Sequence, residues 1–408
     1  MIECDVFIIG GGPSGSIAGA KLVQAGYTVK IVEKVKFPRF VIGESLLPEC
    51  NQLLENANML EPIQNAGFQF KGGVIFTHPD GREVPIHFDN NLGQKWGSSF
   101  QVKRETFDQL LVDDAAAKGV DVEFETEVID YDEASNVVTV RTKAGEIEKY
   151  HAKKVLDASG YGRVLPKLLD LEEPSTLAIR RAVFCRVDSD IRPEDDTEGY
   201  IFVMVHGDND AWLWNIPFSD GTTSMGVVCS EEYYQSFNME PEAFLNEILA
   251  THDKAGKRYA NSKRLNEVGT IGGFSAAVKT MVGENWILSG NASEFLDPVF
   301  SSGVTLALES GSRFADLAIR EFEGEEIDWK EDYEAYMMRG INVFRAFVES
   351  WYDGKLQKII FSERNNEKIK QSIVSILSGY VWDSKNVFVK NPQGSIDLLV
   401  DALSEPLA

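Results

Sequence analysis

The glycine-rich segment 10–15 constrains the fold of this 408-residue chain more than any other feature. It reads G-x-G-x-x-G and lies between an apolar, β-branched run at 5–9 and a helix-like run at 16–25. A strand, a tight turn and a helix in this order are typical of the phosphate-binding turn of a Rossmann-like fold. A second strand at 27–32 ends at Glu33, a residue type that accepts hydrogen bonds from a ribose at this position. The sequence therefore predicts an α/β domain that binds a dinucleotide.

Each glycine of the turn has its own predicted role. Gly10 permits the turn itself, Gly12 lets the backbone approach a pyrophosphate, and Gly15 lets the helix pack closely on the strand. The free N–H groups and the positive dipole end of the helix N-terminus then face the phosphates.

Composition excludes several classes of partner. The formal net charge of −24 opposes binding to nucleic acid or to an anionic membrane. No apolar run has the length of a membrane span, so we expect no stable membrane insertion. Four scattered cysteines without a C-x-x-C motif suit a reducing compartment, and we expect a cytoplasmic protein. The five histidines show no metal-ligand spacing, and no metal site is expected.

The order of predicted elements suggests a discontinuous nucleotide domain. Residues 68–77 have strand character, and residues 178–229 contain strands about ten residues apart, which indicates an inserted antiparallel sheet. A helix is expected at 304–322 and further helices follow it. The predicted division is a nucleotide-binding domain at 1–75, 100–177 and 280–325, a substrate domain at 76–99 and 178–279, and a helical region at 326–408.

Four segments resemble the FAD-dependent monooxygenase and halogenase superfamily, whose FAD domain is of the glutathione-reductase type. They are the glycine turn with Glu33, the V-K-R-E-T-F-D run at 102–108, the D-A-S-G run at 157–160, and the segment 288–298. The resemblance implies FAD as cofactor and an arginine, Arg104, near its phosphates. The implied cofactor-binding residues are Gly10, Gly12, Pro13, Ser14, Gly15, Glu33, Lys34, Ser45, Arg104, Val128, Asp157, Asn291, Pro298 and Gly303.

One position departs from the superfamily pattern. Relatives usually have Gly-Asp where this chain has Gly290 and Asn291. Because asparagine still offers hydrogen bonds, we expect FAD binding to persist, with weaker affinity.

Two features resemble flavin-dependent halogenases in particular. The first is the complete W-x-W-x-I-P motif at 212–217, in which Trp212, Trp214 and Ile216 share one strand face and Pro217 closes the motif. In the family this wall keeps substrate away from the flavin. The second is Lys71, which matches the catalytic lysine of the family and alternates with Phe68 and Phe70, so its side chain is expected on the opposite strand face. Two core tryptophans and a solvated strand lysine are the alternative interpretations.

The segment 298–304 completes the resemblance. Backbone N–H groups of Ser302 and Gly303, at a predicted helix start, are implied to hold a halide. Tryptophan-specific members have a glutamate where this chain has Phe300. This departure favours the branches that act on phenols, pyrroles or carrier-tethered substrates.

The resemblance implies an FADH₂-dependent halogenase, an enzyme that uses O₂ and chloride or bromide on an electron-rich aromatic ring. Hypohalous acid would pass to Lys71, and a separate flavin reductase would supply FADH₂, because no second nucleotide-binding turn is evident. Three alternatives stay open on the same scaffold. They are a flavin monooxygenase or hydroxylase, a reductase similar to geranylgeranyl reductase, and a flavin-binding protein without catalysis.

Overall fold

The computed structural model describes residues 1–93, 95–207, 211–364 and 366–404. Within these ranges no helix combines the length and the apolar character needed to cross a bilayer. The strands, in chain order, are β1 (Ile2–Ile9), β2 (Val29–Glu33), β3 (Gln69–Lys71), β4 (Gly73–Thr77), β5 (Glu83–His87), β6 (Ser99–Gln101), β7 (Asp121–Phe124), β8 (Glu127–Asp132), β9 (Val137–Arg141), β10 (Ile147–Asp157), β11 (Glu172–Glu173), β12 (Arg180–Val187), β13 (Ile201–His206), β14 (Ala211–Pro217), β15 (Thr223–Ser230), β16 (Gly269–Gly272), β17 (Ala277–Val278) and β18 (Trp286–Leu288).

The α-helices are α1 (Pro13–Gln24), α2 (Pro48–Asn56), α3 (Leu60–Gln64), α4 (Arg104–Ala117), α5 (Val164–Leu168), α6 (Glu231–Phe237), α7 (Pro241–Thr251), α8 (Asp253–Arg258), α9 (Ser302–Phe322), α10 (Tyr336–Tyr352), α11 (Lys355–Ile360), α12 (Glu367–Leu377), α13 (Val387–Lys390) and α14 (Pro392–Ser404). Short 3₁₀ turns lie at Phe88–Asn90, Gly160–Gly162, Gly290–Ala292 and Pro298–Phe300, and a π-helical turn precedes α10 at Lys330–Ala335.

The first sheet has a parallel centre, as the Rossmann-like prediction requires. β7, β2, β1 and β10 are parallel neighbours, and β18 pairs in parallel with the last residues of β10. The first residues of β10 pair instead with β9, so β8 and β9 form an antiparallel edge. α1 packs against α9 and α4 on this sheet. Because both faces of the sheet are covered, the second half of β1 is fully buried.

The second sheet follows the order β16, β12, β15, β14, β13, β4, β5. Its pairs are antiparallel as predicted, except that β13 and β4 run parallel. The strand character predicted at 68–77 is confirmed but is divided between two strands, since β3 pairs with β6 in a separate ribbon and β4 belongs to the second sheet. Gly72 separates the two strands, and a Cβ on Gly72 or Gly73 would lie 2.9 or 2.3 Å from the ring of Tyr200, so both positions require glycine. The predicted domain boundary at residue 75 consequently falls inside β4.

The two faces of β14 contact different parts of the core. Leu213 packs in a cluster with Phe244 and Ile248 of α7. Trp212, Trp214 and Ile216 belong to the large central cluster on the other face. The predicted common face of these three side chains is therefore confirmed, and the C-terminal region is helical as expected.

Candidate active site

A cavity of about 330 Å³ connects the glycine turn with the inward face of the second sheet. Gly12, Pro13 and Ser14 lie at one end, and Trp212 and Trp214 at the other. Further lining comes from Glu33, Arg39, Gly43, Glu44, Ser45, Arg104, Tyr161, Ile216, Phe274, Asn291, Phe295, Pro298, Ser301, Gly303 and Val304. The cavity thus brings together most of the residues predicted from the sequence.

The glycines of the turn divide into two structural types. Gly10 has a φ of +104°, and a Cβ there would lie 2.6 Å from the carbonyl oxygen of Ala158. A Cβ on Gly15 would lie 2.1 Å from the carbonyl oxygen of Gly10. At Gly12 the nearest atom beyond its chain neighbours would be Nη2 of Arg39, at 3.6 Å. Gly10 and Gly15 therefore close the turn, whereas Gly12 leaves backbone open to the cavity.

Glu33 is buried at the same end of the cavity. Its carboxylate accepts hydrogen bonds from the backbone N–H groups of Gly11 at 3.0 Å and Val35 at 3.1 Å. These two bonds fix the orientation of the carboxylate and leave lone pairs on both oxygens. The side chain is thus held ready to accept further donors, such as the hydroxyls of a ribose.

Arg104 and Arg39 place two guanidinium groups beside the glycine turn. Arg104 binds Asp108 through Nε at 2.7 Å and Nη2 at 2.9 Å, and it donates from Nη1 to the carbonyl of Ile42. Arg39 donates to the same Asp108 at 3.2 Å. Two guanidinium groups share one carboxylate, so one positive charge stays available for phosphates. The sequence reasoning missed Arg39, whose only signal is its charge in the loop after Glu33.

Several predicted cofactor residues do not line the cavity. Asp157 is buried and accepts hydrogen bonds from the backbone N–H groups of Ser159 at 2.9 Å and Leu165 at 2.7 Å, which shapes the turn below the cavity. Lys34 is exposed and pairs with Glu127 at 2.8 Å. Val128 packs in the core of the first sheet. The cofactor contacts expected of Lys34 and Val128 stay predictions.

The wall motif closes the other end. The ring centroids of Trp212 and Trp214 lie 6.0 Å apart with an interplanar angle of 48°, and Ile216 continues the surface. Nε1 of Trp214 donates to the hydroxyl of Ser224 at 3.2 Å. Pro217 is buried at the end of β14 and does not line the cavity. Two indoles and an aliphatic side chain thus present an apolar barrier at the end of the cavity away from the glycine turn.

A C-terminal tyrosine fixes the wall in position. The indole N–H of Trp212 donates to the hydroxyl of Tyr352 at 2.9 Å, and this hydroxyl donates to Asp297 at 3.0 Å. The guanidinium of Arg180 lies 3.4 Å from the ring centroid of Tyr352. Burial raises the pKa of Asp297 to about 6. The sequence gives no signal for Tyr352, because it is one more aromatic residue in a predicted core helix.

Lys71 is a buried lysine beside a strongly exposed phenylalanine. The side chain of Lys71 is 1% exposed, whereas Phe70 is 55% exposed, so the predicted strand alternation is confirmed. Nζ donates to the carbonyl of Leu46 at 2.8 Å and lies 5.2 Å from the ring centroid of Phe88. Burial lowers the pKa of Lys71 to about 7, against a smaller opposing effect of Cys50. Such an amine is substantially neutral at physiological pH, and a solvated strand lysine is not.

The predicted halide segment lies at the start of the 21-residue helix α9. The helix begins at Ser302, two residues before the predicted start, after Ser301 adopts a φ of +54°. Gly303 lines the cavity, and Ser302 is buried. The first backbone N–H groups of a helix have no partner within it, so they are available to an anion. Phe300 packs edge-on against Phe347 and Trp351.

The residues at the turn end fit FAD. Gly12 leaves room for a phosphate, Glu33 offers free lone pairs, and the arginine pair carries uncompensated charge. The buried hydroxyl of Ser45, which lines the cavity, has no hydrogen-bond partner within the described part of the chain. When bound, FAD would be held here by Gly12–Ser14, Glu33 and Arg104.

Comparison with known proteins identifies the family. The chain matches the family model described as tryptophan halogenase over residues 5–94 and 78–384. It therefore belongs to this family of flavin-dependent halogenases, which are FAD-dependent oxidoreductases.

Two curated relatives match over nearly their whole length. A 1H-pyrrole-2-carbonyl-[peptidyl-carrier protein] brominase from Pseudoalteromonas luteoviolacea is 31% identical, over 93% of this chain and 92% of its own. The corresponding chlorinase from Pseudomonas fluorescens is 28% identical, over 99% and 95%. A solved flavoprotein/dehydrogenase from Cytophaga hutchinsonii is 39% identical with a TM-score of 0.94, covering 98% of both chains.

Proposed function

We propose that this protein halogenates an electron-rich aromatic substrate, with chloride or bromide as the halide and a separate flavin reductase as the source of FADH₂. The buried Lys71 is the observation that carries the proposal. A fully buried lysine whose pKa is lowered to about 7 is costly for folding, and its neutral form suits a reaction with an electrophile.

When bound, FADH₂ would activate O₂, and O₂ would supply the oxidising equivalents for the conversion of halide to hypohalous acid. The chain's own groups then direct the product. Backbone N–H groups of Ser302 and Gly303 hold the halide, and the Trp212–Trp214 wall keeps the aromatic substrate from the cofactor. Lys71 either positions the hypohalous acid by hydrogen bonding or forms a haloamine. In the second case its nitrogen bonds the halogen, the O–H group leaves, and the amine proton completes a water molecule.

A pyrrole- or phenol-like ring, free or tethered to a carrier protein, is the proposed substrate class. The two curated relatives act on a pyrrole carbonyl attached to a peptidyl-carrier protein. Phe300 supports the same branch, because an apolar ring packed under Trp351 replaces the glutamate of tryptophan-specific members.

The deciding experiment supplies the purified protein with FAD, a flavin reductase, O₂ and bromide against a panel of phenols, pyrroles and pyrrolyl carrier proteins. A product with bromine's isotope doublet is expected. Products that gain only oxygen contradict the proposal and identify a monooxygenase.

A reductase is the second candidate, and one observation favours it. The solved neighbour at 39% identity is named a flavoprotein/dehydrogenase rather than a halogenase. Anaerobic reduction of an alkene substrate by the reduced protein, without any halide requirement, would identify this activity. Tight retention of FAD without turnover on any panel would instead indicate a flavin-binding protein.

A further inference from the structure

The ribbon of β3 and β6 buries a polar face and exposes an apolar one. Lys71 lies directly opposite Ser99 in this antiparallel pair, and Phe70 lies opposite Phe100. Directly opposite residues place their side chains on the same face. Lys71 and Ser99 are almost completely buried, whereas Phe70 is more than half exposed. This arrangement reverses the usual partition of polar and apolar groups.

A third segment extends the buried face on the other side of β6. Ser45 forms an antiparallel bridge with Gln101, supported by backbone hydrogen bonds between 44–46 and 100–102. Gln101 follows Ser99 by two residues, so both side chains and that of Ser45 share the face of Lys71. Nζ of Lys71 reaches the carbonyl of Leu46 at 2.8 Å. The lysine side chain therefore crosses β6 and ends beside Ser45.

Three buried oxygen atoms on this face have no hydrogen-bond partner in the described ranges of the chain. They are Oγ of Ser45, Oγ of Ser99 and Oε1 of Gln101. Ser99 and Gln101 are 0% exposed and Ser45 is 4% exposed. The amide nitrogen of Gln101 donates to the carbonyl of Gly199 at 3.1 Å, which fixes the direction of its oxygen. Buried polar atoms in folded proteins rarely lack a partner, so three on one face, beside an amine, point to a polar ligand.

We propose that Ser45, Ser99 and Gln101 form, together with Lys71, a receiving site for hypohalous acid, in which Ser99 is a positioning residue. The inference rests on the proposed function. Hypohalous acid has one O–H donor and several lone pairs, which complement two hydroxyls and an amide oxygen. Ser45 also lines the cavity, whereas Lys71, Ser99 and Gln101 lie behind the lining, so Ser45 is the residue through which the site meets the cavity.

Ser99 differs from an ordinary structural serine in the effect that its removal should have on stability. A hydroxyl that stabilises the fold through a hydrogen bond lowers stability when it is removed. An unpartnered buried hydroxyl carries a desolvation cost, so its removal leaves stability unchanged or raises it. We therefore predict that Ser99→Ala keeps or raises the thermal stability and that more hypohalous acid escapes into solution relative to product.

The experiment compares Ser99→Ala with the wild-type protein and with Ser350→Ala, a matched control. Ser350 is equally buried and its hydroxyl is also unpartnered, but it lies on α10 and outside the cavity lining. Two quantities are measured. The first is the Tm of the FAD-free protein, and the second is the ratio of brominated product to hypobromous acid captured in solution by a β-diketone trap.

We expect Ser99→Ala to keep or raise the Tm and to lower the ratio of product to trapped oxidant roughly fivefold, the equivalent of one lost hydrogen bond. Ser350→Ala should leave the ratio unchanged. Ser45→Ala should lower the ratio in the same direction, with the FAD affinity recorded separately because Ser45 is also a predicted cofactor contact.

An unchanged ratio of product to trapped oxidant in Ser99→Ala would contradict the proposed receiving site. A lower Tm, with product and trapped oxidant reduced together, would also contradict it. A wild-type protein that yields neither product nor trapped oxidant would instead refute the proposed halogenation, and the inference with it.

Discussion

The two ends of the cavity are assembled in different ways. The cofactor end is built mainly around one short stretch of chain, the glycine turn and Glu33, to which Arg39, Arg104 and Asn291 add side chains. The other end depends on side chains from distant segments: Trp212 lines the cavity, Tyr352 holds Trp212 by a hydrogen bond, and Lys71 lies behind the lining, bound to the carbonyl of Leu46. Binding of FAD and choice of reaction therefore depend on separate sets of residues. Substitutions at the cofactor end should change FAD binding and leave the choice of reaction, and substitutions at the other end should do the reverse.

The largest effect is expected within the glycine turn itself. Gly10→Ala forces a Cβ into the carbonyl of Ala158 at a φ of +104°, so it should lower the free energy of unfolding by about 3 kcal/mol. Gly12→Ala meets no such contact and should cost at most about 1 kcal/mol as a helix N-cap change. It should nevertheless weaken FAD binding at least about tenfold, because the methyl group occupies the phosphate approach. Urea unfolding of the FAD-free proteins measures the stability losses, and FAD titration measures the affinities. Equal stability losses for the two variants would contradict the different roles of Gly10 and Gly12.

A second effect concerns the cost of burying Lys71. Between the lowered pKa of about 7 and the ordinary value of 10.5, the unfolded chain binds a proton that the folded chain does not. Wild-type stability should therefore rise with pH across this window. Lys71→Met removes the group and should be more stable than the wild-type protein, by on the order of 3 kcal/mol near pH 6 and by little near pH 10. Unfolding of both FAD-free proteins across this range tests the sign, and a difference that does not change with pH would show that Lys71 keeps an ordinary pKa.

The wall should respond to loss of a single hydroxyl. Tyr352→Phe leaves the indole N–H of Trp212 and the carboxylate of Asp297 without this partner, and should cost about 2 kcal/mol. It should also loosen Trp212 and increase oxygenated by-product relative to halogenated product. Tyr333→Phe is the control, since it removes another tyrosine hydroxyl of the C-terminal region, one that donates to the carbonyl of Leu288 and does not contact the wall. A by-product ratio that rises equally in both variants would assign Tyr352 to general packing.

The smallest effect is expected at the position that departs from the superfamily. Asn291→Asp restores a charged acceptor in the cavity lining and should tighten FAD binding about fivefold through a charge-assisted hydrogen bond. Halogenation by the FAD-saturated enzyme should not change. FAD titration of this variant and of Asn291→Ala measures the effect. Weaker binding of FAD by the aspartate variant would contradict the predicted hydrogen bond between residue 291 and FAD.

The same contrast explains what the sequence can predict. The strand, turn and helix at the cofactor end depend on neighbours in sequence, so the pattern of glycines and apolar residues suffices. The shared face of Trp212, Trp214 and Ile216 follows from strand alternation in the same way. Gly72 and Gly73 are the sequence signal for the break between β3 and β4, but the close approach of Tyr200 that requires glycine there is a tertiary contact.

Other features depend on contacts that no local pattern specifies. Tyr352 reaches Trp212 only because α10 packs beside β14, and the parallel pairing of β13 with β4 follows from the path of the intervening chain. Burial of Lys71 likewise needs three segments that meet around β6. Sequence alternation predicts which side of the strand carries the lysine, and only the tertiary structure makes that side the buried one.

The central claim is that Lys71 selects the reaction without contributing to FAD binding. Its most direct test is one preparation of Lys71→Ala in which bound FAD and brominated product are measured together. We predict FAD bound as in the wild-type protein and product reduced by about 100-fold or more, because the oxidant loses its positioned acceptor. Brominated product at the wild-type rate, or loss of FAD from the variant, would contradict the account.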